Sequence, residues 1–587
     1  MKDNSTLYFS AIATALLAMY FSLGFPLLWR AGLLAAGATY IYLNFSRLVK
    51  QREYFNALKG SAIYSISYDD LPTEKMLVGK GFLWMPEHTM MANTLISDKK
   101  LLEQGEHLGG LSFLHGIGFK EEKDIYKALK ELTGHVVIIG STQVGKTRSY
   151  EVFIAQAIKR GETTIVFDPK GDHELLNRVV EISRQSGRQE NFAFFALPYP
   201  KFSAHYNPLR NFTIPNEIPD RVAMMLPAGG DSEPFRAFSW QVINVITNAL
   251  LFLGLRPNIR LLSDYSLAKT SELTKKCITE AFRKHGLLEE IKLLENTPDN
   301  DEKEYMKTYA RYPEVHHNDV DQLILLAQHP HEHFQKMIAS LTPLLTKLSG
   351  GEIGTLLSEP SGGSANRDID WERAVKNQKI VYMLFGSLLM RDTAKSVARM
   401  AIQDLTSFIG SRYCFIPDRK PINLFIDEFT EVFDQFFINL LNKAGGAEVR
   451  IFLASQSVAD LESELKSAAK AQQIFDNLNT KVWLRVSDMA TAKVFSDAAG
   501  TATLQQENTG FSVSPDISDN DVVFKSSYSQ GTSVKVAPLV DPSYLLKLPK
   551  GQGFILSGGR VYKIRIPLLP PCSVDYYREK GIVEKER

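Results

Sequence analysis

The sequence predicts an α/β protein: a mostly parallel sheet with helices on both faces, interrupted by an all-α insertion and preceded by a transmembrane helical hairpin. Three observations carry this expectation. From residue 133 onward, short runs of β-branched and aromatic residues alternate with helical patterns. Between about 207 and 348 the β-rich runs largely stop and amphipathic helical periodicity takes over. Near the N-terminus, Leu7 to Leu23 runs without a charge for about one membrane-crossing length.

The anchor comes first. Gly24-Phe25-Pro26 breaks the first apolar run, and a second, interrupted early by Arg30, continues to about Phe45. Arg47, Lys50 and Arg52 follow at once. The pattern reads as a hairpin with a short external turn, Arg30 reaching back to the interface and both ends on the cytoplasmic side, where basic residues collect. A cleaved signal peptide is the competing reading. The length of the first run, its lack of a basic leader and the second apolar stretch argue against it.

Outside this anchor the composition is that of a folded globular chain. The 587 residues suffice for two or three domains, with 44% hydrophobic and 23% charged residues. Lys and Arg number 67 against 66 Asp and Glu, a formal charge of +1, so net charge neither supports nor excludes nucleic-acid binding. Cys277, Cys414 and Cys572 lie far apart with no CxxC spacing. They point to a reducing compartment, with no disulfide framework and no zinc site.

The expected organisation is an anchor at 1–50, a lead-in and first part of the sheet domain at 51–206, and an all-α insertion at 207–348. The second part of the sheet domain spans 349–570, and a short polar tail 571–587. The lead-in, Gln51 to about Leu132, reads as a small β-containing segment without chemistry of its own. Within the insertion, Phe235–Leu253 and Leu261–His285 read as helices and the charged stretch Asn296–Lys307 as an exposed connector. Strands are expected at 135–139, 163–167, 379–385, 422–426, 450–454 and 481–485, with a final one at 553–556. Residues 510–535 read as an extended or flexible loop.

Chemistry enters with Gly140-Ser141-Thr142-Gln143-Val144-Gly145-Lys146-Thr147, which satisfies G-x-x-x-x-G-K-[ST] between a buried-type strand and a helix. Glycine allows close approach to phosphates, and amides at a helix N-terminus wrap them. Lys146 would reach the β- and γ-phosphates of ATP and the Thr147 hydroxyl would ligate Mg²⁺, with Arg148 next in line. The apolar strand Ile422–Ile426 ends in Asp427-Glu428, as a Walker B motif requires: Asp427 for Mg²⁺, Glu428 to polarise the attacking water. About thirty residues on, a strand delivers Ser455-Gln456-Ser457. Gln456 is placed to sense the γ-phosphate or orient water; a helix-capping turn is the blander reading and is compatible with it.

Two arginines at strand ends, Arg485 and Arg450, are candidates for a residue acting on a neighbouring subunit; a surface or salt-bridge role is the alternative for each. His316, His317, His329, His331 and His333 crowd one region, but their spacing fits no familiar zinc site and reads as a solvated helical face.

The combination of N-terminal hairpin, Gly140 to Thr147 followed by Arg148, and Phe167-Asp168-Pro169-Lys170-Gly171-Asp172 resembles the type IV coupling proteins. The likeness is greatest to the TraD-like conjugative coupling factors of integrating conjugative elements. Gly81-Phe82-Leu83-Trp84 with His88, Ser232-Glu233-Pro234-Phe235-Arg236 before Trp240, and Leu453-Ala454-Ser455-Gln456-Ser457 extend it. So do Asn479-Thr480-Lys481-Val482 and Arg565-Ile566-Pro567, over nearly the whole chain. The resemblance implies a RecA-like P-loop NTPase domain with an inserted all-α domain, assembled as a homo-hexamer at the bacterial inner membrane. It implies partners too: a relaxosome, type IV secretion channel components and relaxase-bound single-stranded DNA driven by ATP. Lys443-Ala444-Gly445-Gly446 departs from the basic-Gly-Arg cluster of many relatives, which leaves the arginine finger open, and no long acidic tail follows Pro570. Two other readings stand beside this one: an FtsK-type double-stranded DNA translocase, and a membrane receptor recruiting protein substrates to a secretion channel.

Overall fold

A computed structural model describes residues 27–58, 63–96, 109–227, 229–295, 301–358, 368–417, 419–433, 435–465, 467–518 and 521–582. In chain order the strands are β1 (Lys75–Leu83), β2 (Lys123–Ala128), β3 (Val136–Ile139), β4 (Thr163–Asp168), β5 (Phe192–Ala196), β6 (His205–Tyr206) and β7 (Asp368–Ile369). There follow β8 (Ile380–Leu384), β9 (Ile422–Ile426), β10 (Val449–Ser455), β11 (Thr480–Trp483), β12 (Thr501–Ser518), β13 (Asp521–Pro538), β14 (Gln552–Ser557) and β15 (Arg560–Arg565).

Eleven of them form one sheet in the order β2-β1-β15-β14-β11-β3-β10-β9-β4-β8-β5. The seven from β11 to β5 are mutually parallel, and the four at the other edge pair antiparallel. Parallel strands need crossover helices, which cover both faces. The sequence shows it: Val136–Ile139, Thr163–Asp168, Ile380–Leu384 and Ile422–Ile426 are buried at every position. The helix Lys146–Lys159 lies behind this seam, and its Tyr150 hydroxyl meets the carbonyls of Ile426 at 2.9 Å and Phe452 at 2.8 Å.

The lead-in is part of this sheet. Its strands β1 and β2 form the antiparallel edge, and β1 approaches β15 so closely that a Cβ on Gly81 would stand 1.9 Å from the Lys563 carbonyl oxygen. The β1–β2 register shifts between Leu77 and Gly79. There the buried side chain of Gln156 takes the Leu77 N–H at 2.7 Å and gives to its carbonyl at 3.0 Å, satisfying backbone groups that a bulge would otherwise strand.

Several expectations change. The last strand is followed by another, β15, whose charges at Arg560, Lys563 and Arg565 break the apolar signature although Lys563 is fully buried. Thr501–Ser518 and Asp521–Pro538, which take in most of the stretch expected as an extended or flexible loop, pair as a long antiparallel ladder, β12 with β13. The patterned stretch 261–285 divides into helices Ile259–Leu267 and Thr270–Lys284. Within the expected connector, Glu302–Ala310 is a helix capped by Asp301, with Tyr305 and Tyr309 buried. The tail is docked as far as it is described: Tyr577 stacks on His173 at 4.2 Å, and Ser573 N–H donates to Glu181 at 2.9 Å. Of the expected hairpin, the run Leu7–Leu23 lies outside the described residues. The second stretch belongs to a 32-residue helix, Leu27–Leu58, that continues through Arg47, Lys50 and Arg52. Among the described residues no helix is long and apolar enough to cross a membrane.

Every described element between β6 and β7 is helical. The two short strands pair parallel where the chain leaves and re-enters, and both flank one buried acid. Asp404, on the helix Arg391–Phe415, is fully buried and accepts from the Tyr206 hydroxyl at 2.8 Å, Trp371 Nε1 at 2.6 Å, Asn211 N–H at 2.8 Å and Arg221 Nη1 at 3.1 Å. Four segments are thereby tied to one carboxylate. Asp404→Ala strips the buried Arg221 of its nearer countercharge and leaves it only the 3.4 Å pair with Glu217, so a loss of about 3 kcal/mol in unfolding free energy is expected, read by urea denaturation of the full chain.

Candidate active site

The sheet order decides the site. Because β10 lies between β3 and β9, the carboxyl ends of all three open at one place. That is where the chain sends Gly140–Lys146, Asp427-Glu428 and Ser455-Gln456.

The loop is shaped by three residues. Gly145 has φ +116°, a conformation that disfavours any side chain, as it turns the chain into the helix beginning at Lys146. Gln143, at the exposed crest, also adopts a positive φ of 59°. Val144 points inward and is buried, packed so tightly on Gly140 that a Cβ there would sit 2.8 Å from its methyl. Ser141 is fastened from behind, its N–H donating to the Arg485 carbonyl at 2.9 Å and its hydroxyl at 3.2 Å. Thr142 is exposed.

Glu428 is the focus of charge. One carboxylate oxygen, Oε1, receives Lys146 Nζ at 3.0 Å, Gln456 Nε2 at 3.0 Å and Lys170 Nζ at 3.3 Å. Its backbone is left-handed, φ 43°, unusual for a non-glycine residue and of the kind concentrated at functional sites. Burial works against its charge, but Lys146 and Lys170 outweigh burial and hold the carboxyl below the usual glutamate range. Its neighbour behaves oppositely: burial first, then the charges of Glu428 and Asp168, push Asp427 up to about 7. The Thr147 hydroxyl lies 3.5 Å from Asp172 Oδ2.

The loop Gly140–Thr147 opens on a cleft of about 680 Å³, lined on one side by Gln143–Arg148 and Glu174. Its other wall is Pro549–Gln552, Arg565, Ile566 and Leu568, with Ile63 and Tyr64. Gly551 N–H donates to the Val144 carbonyl at 3.0 Å, so this wall is hydrogen-bonded to the phosphate loop. Arg148 is shared between Glu151 at 2.7 Å and Glu174 at 3.0 Å. The Thr147 hydroxyl and the Asp427 carboxyl are oxygen donors of the kind that would hold a hard cation such as Mg²⁺.

The two arginine candidates part here. Arg450 sits near the start of β10, at the opposite end of the strand from the phosphate loop, 5% exposed and bound to Glu162 Oε1 at 2.8 Å. Arg485 is partly exposed near the loop, its Nη1 on the Gly109 carbonyl at 2.6 Å.

Sequence reasoning passed over Lys170, Asp168, Asp172 and the 549–568 wall as site residues. The signal was there for the first three, in Asp168-Pro169-Lys170-Gly171-Asp172 at the tip of the strand beside β9. For the wall the one signal was Arg565-Ile566-Pro567, read only as part of a family likeness; Pro549–Gln552 carries no chemical signature and lies about 400 residues downstream.

Residues 421–550 match a family described as the TraM recognition site of TraD and TraG, a span from the strand bearing Asp427 to the cleft wall. Residues 119–308 match the central domain of the helicase HerA. Over residues 421–550 the chain is therefore similar to TraD and TraG. Solved coupling proteins share the RecA-like fold. The conjugative coupling protein TrwB lacking its first 70 residues, in an unbound monoclinic form, is 15% identical, with a TM-score of 0.50 over 75% of this chain and 87% of that one. Plasmid coupling protein TrwB in complex with ADP and Mg²⁺ is 14% identical, with a TM-score of 0.50 over 76% and 88%. No curated protein matches the chain.

Asp427 gives this site a pH signature. With its pKa raised well above the unfolded aspartate value of about 4, the neutral form is favoured in the nucleotide-free fold. Its contribution to stability is complete below about pH 4 and lost as pH rises through about 7. A divalent cation competes with that proton, so Mg²⁺-dependent nucleotide binding is expected to be about tenfold weaker at pH 6 than at pH 8. Titration calorimetry across that range checks it, and Asp427→Asn should flatten the dependence.

Proposed function

We propose that this chain is the inner-membrane ATPase that couples a relaxosome to a type IV secretion channel, driving relaxase-bound single-stranded DNA into it. The observation that carries the motor reading is Glu428: a buried, ionised carboxylate at a strand tip, held by Lys146 of the phosphate loop and by Gln456. A site that only binds nucleotide has no need of such a base.

In this reading the amides of 140–147 and Lys146 hold the phosphates of ATP, Arg148 borders them, and Thr147 and Asp427 hold Mg²⁺. The bound cation would neutralise charge developing on the phosphate oxygens. Glu428 orients and deprotonates the attacking water, and Gln456 reports the γ-phosphate to β10. The chain works as a homo-hexamer, with Arg485 the candidate that reaches a neighbour's site. Residues 1–50 anchor it in the membrane. The helices between β6 and β7, the inserted domain at 207–348, meet the load.

Two results would bear this out. Glu428→Gln should still bind ATP yet lower conjugative transfer at least about 100-fold, the scale of a lost general base, measured by mating frequency. The full chain's ATPase should be stimulated by single-stranded DNA at low salt, where phosphate contacts are strongest. Transfer at wild-type frequency in the Gln variant would sink the motor reading and favour a receptor for protein substrates.

A further inference from the structure

Three donors converge on one carboxylate oxygen of Glu428, one more than its two lone pairs accommodate well. They are not equivalent. Lys146 belongs to the phosphate loop, and its amine is the one that incoming phosphates draw away. Gln456 is neutral. Lys170 is a cation carried by an element independent of the loop.

That element is unusually well held. Asp168, fully buried at the end of β4, accepts from the N–H groups of Lys170 at 3.1 Å, Gly171 at 2.7 Å and Asp172 at 2.6 Å, and from the Tyr382 hydroxyl at 2.6 Å. Gly171 turns with φ +93°, and Ser387 N–H fixes the Pro169 carbonyl at 2.7 Å. β4 is the immediate neighbour of β9, with Asp427 N–H on the Phe167 carbonyl at 3.1 Å, so the turn and Glu428 keep a fixed spacing.

We propose that Lys170 is a positioning residue for ATP hydrolysis: it keeps the Glu428 carboxylate aimed at the attacking water once Lys146 has moved to the phosphates. The proposal rests on Glu428 acting as the base. Lys146 and Lys170 thus work in succession on one oxygen, the first restraining Glu428 without nucleotide and the second with it. Gln456 contributes a hydrogen bond throughout.

The test is steady-state ATP hydrolysis by the full chain carrying Lys170→Met, which keeps the length of the side chain and removes its charge. The expected result is a fall of about 10- to 100-fold in kcat with KM for ATP within about threefold of wild type, and recovery of most of the activity in Lys170→Arg. In a Glu428→Gln background the Met substitution should have no further effect, because the two residues act as a unit. Three outcomes overturn the proposal: kcat within twofold of wild type in Lys170→Met, a raised KM at unchanged kcat, or Arg no better than Met. If Glu428→Gln itself hydrolyses ATP at the wild-type rate, the base assignment fails. If Glu428→Gln is inactive while Lys170→Met is not, the assignment stands and the inference about Lys170 falls.

Discussion

A parallel sheet places its chemistry wherever strand ends are brought side by side, and here that depends on β10 being inserted between β3 and β9. Sequence neighbours are not spatial neighbours in this arrangement: Lys146 and Glu428 are 282 positions apart and 3.0 Å apart in space. The burial of these strands on both faces fixes their register, since a one-residue slip would present polar termini to the wrong layer. Tyr150 locks the helix behind the phosphate loop to both β9 and β10. The ionic contacts at the tip are precise because the apolar seam beneath them is.

The opposing fates of Asp427 and Glu428 show how much of their chemistry comes from surroundings. They are adjacent in sequence and share a strand end. Glu428 faces two ammonium groups and stays charged, whereas Asp427 faces burial and other carboxylates and is pushed towards the neutral form. Such a divergence between neighbouring acids would allow one to hold a cation and the other a water. A cation bound by Asp427 would relieve the crowding of negative charge that Asp168 and Asp172 add.

The parts legible in sequence were those with a strong local period or a chemically constrained spacing. The phosphate loop, Asp427-Glu428 and Gln456 were readable because each is a strand end followed by residues with few other uses. The parallel strands were readable as continuous apolar runs. The antiparallel edge was not: β15 interleaves Arg560, Lys563 and Arg565 with its apolar residues, and the polarity of Lys563 is absorbed by Gln552 at 2.8 Å, a partner no pattern announces. The ladder β12–β13 was hidden by its Ser, Asp and Gly content. Tyr576 and Tyr577 were taken for a tail because burial against His173 and Phe192 is a long-range fact. Lys170 was seen only as part of a family likeness, since nothing local says that its turn is pinned by Asp168.

The chain's first and last strands lie against one another, β1 on β15, and this makes the sheet edge a mechanical element. Leu58, at the end of the N-terminal helix, is buried, and Ala57 lies against Gly116; a Cβ on that glycine would stand 2.3 Å from the Ala57 carbonyl oxygen. Beyond the helix, Ile66 N–H donates to the Leu568 carbonyl at 2.9 Å and Leu568 N–H to the Tyr64 carbonyl at 2.8 Å, beside the cleft wall. Tension on that helix would reach the ladder between β1 and β15. The same edge carries Gly551, which is bonded to the phosphate loop. A pull at the N-terminus and a change of state at the loop thus act on one stiff strip of sheet.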